Sequence, residues 1–196
     1  MAKTFEFWFD FGSPASYLAW TQIAAIERET GATAQYRPML LGGVFQATGN
    51  QSPATIPAKG KYTFDDFDRF ARRYGVPLTR NPHFPINTLM LMRGAVGLQL
   101  REPARFIAYC DAVFRAIWVH AQNLNDPATV GGVLHQAGFD PQALLAMTQD
   151  SEVKDTLKAV TQQAIDRGIF GAPTFFVGTQ MFWGQDRIDF VKEALK

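Results

Sequence analysis

A chain of 196 residues, 47% hydrophobic and 19% charged, has the length of one domain and enough apolar material for a core, which excludes a disordered chain. Its 19 basic side chains nearly cancel 18 acidic ones, so nothing in the charge points to a nucleic-acid partner. The single cysteine, Cys110, excludes an intrachain disulfide, a CxxC redox pair and a cysteine-rich zinc site.

The first element is a strand over Phe5–Phe11, where phenylalanines at 5, 7, 9 and 11 alternate with Glu6, Trp8 and Asp10. Glu6 and Asp10 also interrupt the apolar run and no continuous apolar stretch follows Lys3, so no secretory signal is expected. The stretch from Thr88 to Leu100 is broken by Arg93 and falls short of a membrane span. A soluble, cytoplasmic protein is the expectation, with which the lack of disulfides agrees. Gly12-Ser13-Pro14 then starts a helix, with Ser13 as N-cap and Pro14 at the first helical position, where its missing N–H is harmless. Tyr17, Leu18, Ile23 and Ile26 carry that helix to about Gly31, and Thr33–Arg37 reads as a second strand closed by Pro38. A β-α-β unit opens the chain.

From Leu41 to Arg167 no strand is evident. Helical spacing links Phe64, Phe67, Phe70, Ala71 and Tyr74, ended by Gly75 and Pro77. It recurs over Asn87–Leu100, over Phe106, Cys110, Val113, Phe114, Ile117 and Trp118, over Pro127–Ala137, and over Val153, Leu157, Val160 and Ala164. The Pro, Gly and Ser density at Gly49, Ser52, Pro53, Pro57 and Gly60 reads as a loop. Strands return at Thr174–Val177 and Met181–Trp183 around a Gly178-Thr179-Gln180 turn, and Ile188–Leu195 closes the chain as a helix. Residues 1–40 and 168–196 thus form the sheet-bearing domain, and 41–167 a helical insertion domain.

Three segments carry the chemistry: FDFGSPASYLA at the first strand–helix junction, GAPTFFVG before the hairpin, and WGQDRIDF after it. With TGNQSPATIPAKGKY and RRYGVPL between them, their order and spacing resemble the 2-hydroxychromene-2-carboxylate isomerase family. That family is a DsbA-like branch of the thioredoxin superfamily, related to kappa-class glutathione transferases. The resemblance covers nearly the whole chain. It implies an α/β, thioredoxin-like fold (β-α-β … β-β-α) with a large all-helical insertion, and glutathione as cofactor.

In redox members of the superfamily a CxxC begins the first helix, where backbone N–H groups and the helix dipole stabilise a thiolate. Here that stretch reads Ser13-Pro14-Ala15-Ser16, so disulfide exchange is lost while the location remains. The resemblance makes Ser13 the catalytic residue, donating to the thiolate of bound glutathione; the plain alternative is a helix cap. Pro173 after Ala172 resembles the cis-proline that faces this helix and leaves backbone groups free for an extended peptide; the alternative is a trans proline at an edge strand. Asp186 would pair with the amino group of glutathione and Gln185 would help hold its carboxylate; the alternative for Asp186 is a capping acid. Asn50 and Lys59 resemble residues at the mouth of the glutathione site, Lys59 meeting the glycyl carboxylate, unless it is a solvated lysine.

Cys110 lies on the apolar stripe of its helix and reads as a small core residue. Trp118, Tyr62, His83 and Phe84 are candidates for an aromatic substrate pocket, Trp118 also for the core. His83, His120 and His135 have no metal-ligand spacing, and neither a phosphate-binding glycine pattern nor a G-x-S-x-G elbow occurs. The activity implied is a glutathione-dependent cis-trans isomerisation of 2-hydroxychromene-2-carboxylate or a similar aromatic keto acid in aromatic-compound degradation. Two other outcomes stay open: a kappa-like glutathione transferase or peroxidase, and a non-catalytic thioredoxin-fold module that binds a peptide or partner at the Pro173 edge. The resemblance also admits a homodimer, without an interface signal in the sequence.

Overall fold

In the computed structural model, which describes residues 3–196, the first strand β1 (Thr4–Phe9) lies inside a four-stranded sheet. Its neighbours are β2 (Thr33–Pro38), parallel to it with Thr4 opposite Thr33, and β3 (Thr174–Val177), antiparallel to it with Phe7 opposite Phe175. The last strand β4 (Gln180–Trp183) pairs antiparallel with β3, so the order is β2-β1-β3-β4. Alternation puts Phe5, Phe7 and Phe9 on one face, and all three are fully buried. Trp8 points to the other face and is buried too, so β1 is covered on both sides.

The strand stops at Phe9 rather than Phe11. The Asp10 carboxylate accepts the Gly12 N–H at 2.8 Å and its carbonyl accepts the Ser13 N–H at 3.1 Å, which turns the chain before Phe11 can pair. The helix expected to reach Gly31 is also two: α1 (Pro14–Trp20) and α2 (Ile23–Thr30). At the break the Thr21 hydroxyl donates to the Leu18 carbonyl at 2.7 Å and the Gln22 N–H reaches only to Ala19, tightening the turn and redirecting the axis.

The segment between β2 and β3 is helical throughout its regular parts. It contains α3 (Leu41–Thr48), α4 (Pro57–Tyr74), α5 (Leu89–Arg101), α6 (Phe106–Trp118), α7 (Pro127–Gln136), α8 (Pro141–Gln149) and α9 (Ser151–Asp166), and α10 (Ile188–Ala194) ends the chain. Two of these were not expected. The α3 sequence, LGGVFQAT, carries two glycines of poor helix propensity and forms because Val44 packs against Trp8, Met39 and Ala164. Helix α8 is capped by Asp140, whose carboxylate accepts the Gln142 and Ala143 N–H groups, with Pro141 in its first turn. The expected loop from Gly49 to Gly60 is shorter than its composition suggests, because Pro57 starts α4. Gly60 sits in that first turn against Ala54, whose Cα would lie 3.1 Å from an added Cβ.

Sheet and helical segment share a core. Phe114 of α6 lies 5.8 Å from Phe9, 4.9 Å from Phe11 and 5.5 Å from Trp20, ring centre to ring centre. The Trp118 indole N–H donates to the Phe11 carbonyl at 2.7 Å. Among the described residues no helix is long and apolar enough to cross a membrane. Because Phe114 joins the two parts, Phe114→Ala is expected to lower stability by about 3–5 kcal/mol, read from urea unfolding.

Candidate active site

The turn after β1 delivers Ser13 to the start of α1. Its backbone is extended (φ −98°, ψ 116°) and its oxygen accepts the Ser16 N–H at 3.1 Å, so it is a cap. The same hydroxyl donates to the Ala172 carbonyl at 3.0 Å, a contact that joins residues far apart in the chain. The Ala172–Pro173 bond is cis, and the Pro173 carbonyl accepts the Gly184 N–H at 3.0 Å. The second serine of the tetrapeptide, Ser16, is fully buried and its hydroxyl has no hydrogen-bond partner among the described residues.

Between this junction and the helical segment lies a cavity of about 560 Å³. Ser13, Asn50, Ala172, Gln185 and Asp186 all line it. Pro173 stands behind Ala172, outside the lining. Lys59 is exposed in the first turn of α4, beside the lining residue Gly60 but not itself in the wall.

Each of these residues is held by a distinct local device. The Asn50 amide donates to the Phe170 carbonyl at 2.7 Å and its oxygen accepts the Gln51 N–H at 2.8 Å, which pins the loop after α3 to the segment leading into Pro173. Gln185 is buried, and its backbone carbonyl accepts the Tyr74 hydroxyl at 2.7 Å. Burial pushes that Tyr74 hydroxyl up to about 12. Asp186 keeps its carboxylate partly exposed, 3.5 Å from the Arg187 guanidinium. Gly184, at φ +106°, leaves room for it: a Cβ there would collide with the Asp186 oxygen.

The lining also includes the aromatic side chains of Phe45, Phe64, Phe67, Phe84 and Trp183. Of the aromatic candidates from the sequence, Phe84 is in that lining. Trp118 is in the core, Tyr62 is exposed on α4, and His83 lies outside the lining. Phe64 and Phe67 carried a readable signal, the helical spacing of α4, which identifies a buried face without saying whether protein or cavity covers it. The Trp183 indole lies over Gly171, where a Cβ would be 2.5 Å from its Nε1, and 4.9 Å from the Phe170 ring.

Asp10 is a site residue that sequence reading treated only as a break in an apolar run. It lines the cavity, is 2% exposed, and accepts hydrogen bonds from Gly12, Leu41 and Thr88. The signal available was an acid inside FEFWFDFG, a segment otherwise fit for burial.

The DSBA-like thioredoxin domain model matches residues 4–196. The chain is 34% identical to the 2-hydroxychromene-2-carboxylate isomerase of Sphingobium xenophagum, over 100% of this chain and 99% of that one. The chain belongs to the 2-hydroxychromene-2-carboxylate isomerase family. The Pseudomonas putida isomerase of that name is 31% identical over 97% of this chain and 93% of its own. A solved 2-hydroxychromene-2-carboxylate isomerase superposes with a TM-score of 0.85 at 29% identity, covering 98% of this chain and 94% of that one. Human glutathione S-transferase kappa 1 is 25% identical over 100% of this chain and 92% of its own. As a member of this isomerase family the chain is an enzyme, an isomerase on a thioredoxin-like DsbA fold with a helical insertion.

In this isomerase-family chain the cysteine itself lies away from the cavity. Cys110 is fully buried on α6, and burial pushes its thiol well above the ordinary range. A thiol so held is unreactive while the fold is intact. Ellman's reagent is therefore expected to label the native protein negligibly at mildly alkaline pH, and to label one thiol per chain once denaturant is added. Fast labelling of the native protein would contradict the burial.

Proposed function

We propose that the protein is a glutathione-dependent cis-trans isomerase of 2-hydroxychromene-2-carboxylate or a similar aromatic keto acid. The observation that carries this reading is the pairing of the Ser13 hydroxyl with the Ala172 carbonyl at 3.0 Å on the wall of a cavity lined by both polar and aromatic groups. The polar groups fit a small peptide thiol. An extended peptide brings a backbone N–H that can take the Ala172 carbonyl, and this releases the Ser13 hydroxyl to donate elsewhere. Asp186 is the acid in reach of an amino group, and Gly184 keeps its approach open. Asn50 and Gln185 supply amides to the wall, and Lys59 at its rim supplies a cation for a carboxylate, as a charge-assisted contact.

Bound along Ala172 with its thiol toward Ser13, glutathione would supply a nucleophile for reversible addition to the double bond of the keto acid, which permits rotation about that bond and returns the thiol unchanged. Ser13 favours the ionised thiol by donating its hydroxyl proton in a hydrogen bond, which is stronger to an anion than to a neutral acceptor. The start of helix α1 adds its first-turn backbone N–H groups at the same place. Phe64, Phe67 and Phe84 present ring edges and faces to a flat aromatic substrate and keep water from it. Both reactants are then held side by side, which removes the entropy of their encounter from the barrier. A cytoplasmic setting, where glutathione is abundant and thiols stay reduced, suits this chemistry.

Isomerisation followed by ultraviolet absorbance should require glutathione and leave its concentration unchanged over many turnovers. Net consumption would instead make the protein a kappa-like transferase. Absence of saturable glutathione binding would leave a peptide- or partner-binding module. Ser13→Ala should lower kcat by about 10–100-fold, the value of one hydrogen bond to a charged group. Asp186→Ala should instead raise the dissociation constant for glutathione, measured calorimetrically, by a similar factor. Unchanged kcat in Ser13→Ala would remove the hydroxyl from the reaction.

A further inference from the structure

Asp10 is a carboxyl group that borders the cavity and is 2% exposed. Its hydrogen bonds come from separate parts of the chain. The Gly12 N–H donates from the turn at 2.8 Å, the Leu41 N–H from the first turn of α3 at 2.8 Å, and the Thr88 hydroxyl from the start of α5 at 2.7 Å. All three partners donate to it, and the ionised carboxylate, an acceptor at both oxygens, takes each of them as a charge-assisted bond that protonation would weaken. The packing is close. A Cβ on Gly12 would lie 3.4 Å from both the Asp10 oxygen and the Thr88 methyl carbon.

No cation meets this charge among the described residues. The turn presents Gly12 and Ser13, α3 presents Leu41, and the approach to α5 presents Ile86 and Thr88, none of them charged. Burial outweighs the three hydrogen bonds and pushes the Asp10 carboxyl above the usual carboxylate range. The sign of the linkage follows. A raised value in the folded state means that the ionised group lowers stability at neutral pH, and that stability is regained as pH falls through that value. Buried charges kept at a cost to the fold cluster at functional positions, and this one borders the cavity.

We propose that ionised Asp10 is a positioning residue for the isomerisation, holding the Ser13 turn against the starts of α3 and α5 so that Ser13 faces Ala172. This rests on the glutathione-dependent reading above. Asp10 acts through the turn, not on the reacting atoms. Stability and activity therefore move in opposite directions on its titration: protonation relieves the fold and releases the turn. A residue with a purely structural role would carry both down together.

The test compares wild type with Asp10→Asn, Thr88→Val and Thr88→Ser, measuring kcat and KM from acid to neutral pH together with Tm. Asn keeps the oxygen that faces Gly12 and Thr88 but sets an amide against the Leu41 N–H. At neutral pH, Asp10→Asn should lose at least about tenfold in kcat, the worth of one charge-assisted bond. Its KM should stay within about threefold of wild type. Its Tm should change little, because removal of the buried charge offsets the amide set against Leu41, and the acid limb of the kcat profile should be lost. Thr88→Val should give a smaller loss of kcat, and Thr88→Ser should restore it.

A second readout needs no turnover: the indole N–H resonance of Trp118, which is bonded to the Phe11 carbonyl in this turn, should shift on acidification in wild type and not in Asp10→Asn. Full kcat in Asp10→Asn, or a kcat that falls only in step with Tm, would overturn the proposal. Should Asp10→Asn fail to fold, equal kcat in Thr88→Val and Thr88→Ser would overturn it. If wild type shows no glutathione-dependent isomerisation, the functional reading fails by itself. The Trp118 titration then still decides on Asp10: a resonance that titrates alike in both proteins sinks its hold on the turn.

Discussion

A four-residue turn, Asp10 to Ser13, must leave a buried central strand and deliver a hydroxyl to a cavity wall, and most of it is buried, so its polar groups need partners within the protein. The chain solves this by taking partners from distant segments. The Asp10 side chain draws on Leu41 and Thr88, the Phe11 carbonyl takes the Trp118 indole N–H, and the Ser13 hydroxyl donates to Ala172. Three of those partners, Leu41, Thr88 and Trp118, belong to the helical segment, so the sheet alone would leave the turn with buried, unmade hydrogen bonds. The insertion is thus a condition for the site's geometry as well as one of its walls.

The same turn explains how a thioredoxin-like fold can work without its own sulfur. What the fold supplies is a place: a helix start beside a backbone carbonyl at the edge of a cavity. Ser13 keeps that place and fills the roles of cap and cross-chain donor with one oxygen. Ser16 keeps the position of the second cysteine but is sealed from the cavity, its hydroxyl unpartnered. A buried, unpaired hydroxyl is costly, typically about 1–3 kcal/mol. The one sulfhydryl of the chain, on Cys110, packs in α6 with its proton held by burial. The thiol of the proposed reaction would therefore have to come from a bound molecule.

Much of this was legible because it is local. Ser13 and Pro14 announce a helix start, Phe5, Phe7 and Phe9 announce a strand face, and Asp186 stands in a short motif beside the last helix. What escaped was set by tertiary partners. Helix α3 exists against its glycines because Val44 has Trp8 to pack on, and the first long helix breaks because Thr21 turns its hydroxyl back on the chain. Lys59 sits in a helix rather than a loop because Pro57, a residue that reads as a breaker, also fits the first helical turn. Asp10 escaped because an acid in an apolar strand looks like an interruption until its donors are known.

The aromatic wall shows the same limit from the other side. Phe64 and Phe67 sit on α4 at the spacing of a buried stripe, and Phe70 and Tyr74 continue it. Along the second half of the stripe the residues are tied to the fold: Tyr74 reaches the Gln185 carbonyl and its ring lies 5.7 Å from Phe70. Along the first half Phe64 and Phe67 face the cavity instead. One periodic face therefore packs against the core along its length and serves as cavity wall only at Phe64 and Phe67. Apolar surface left facing a cavity gives up the dispersion contacts that close packing would provide, so the fold gains less from Phe64 and Phe67 than from Phe114. The flat aromatic substrate proposed above would restore those contacts on binding, and a deficit in packing would thereby become affinity for a ring.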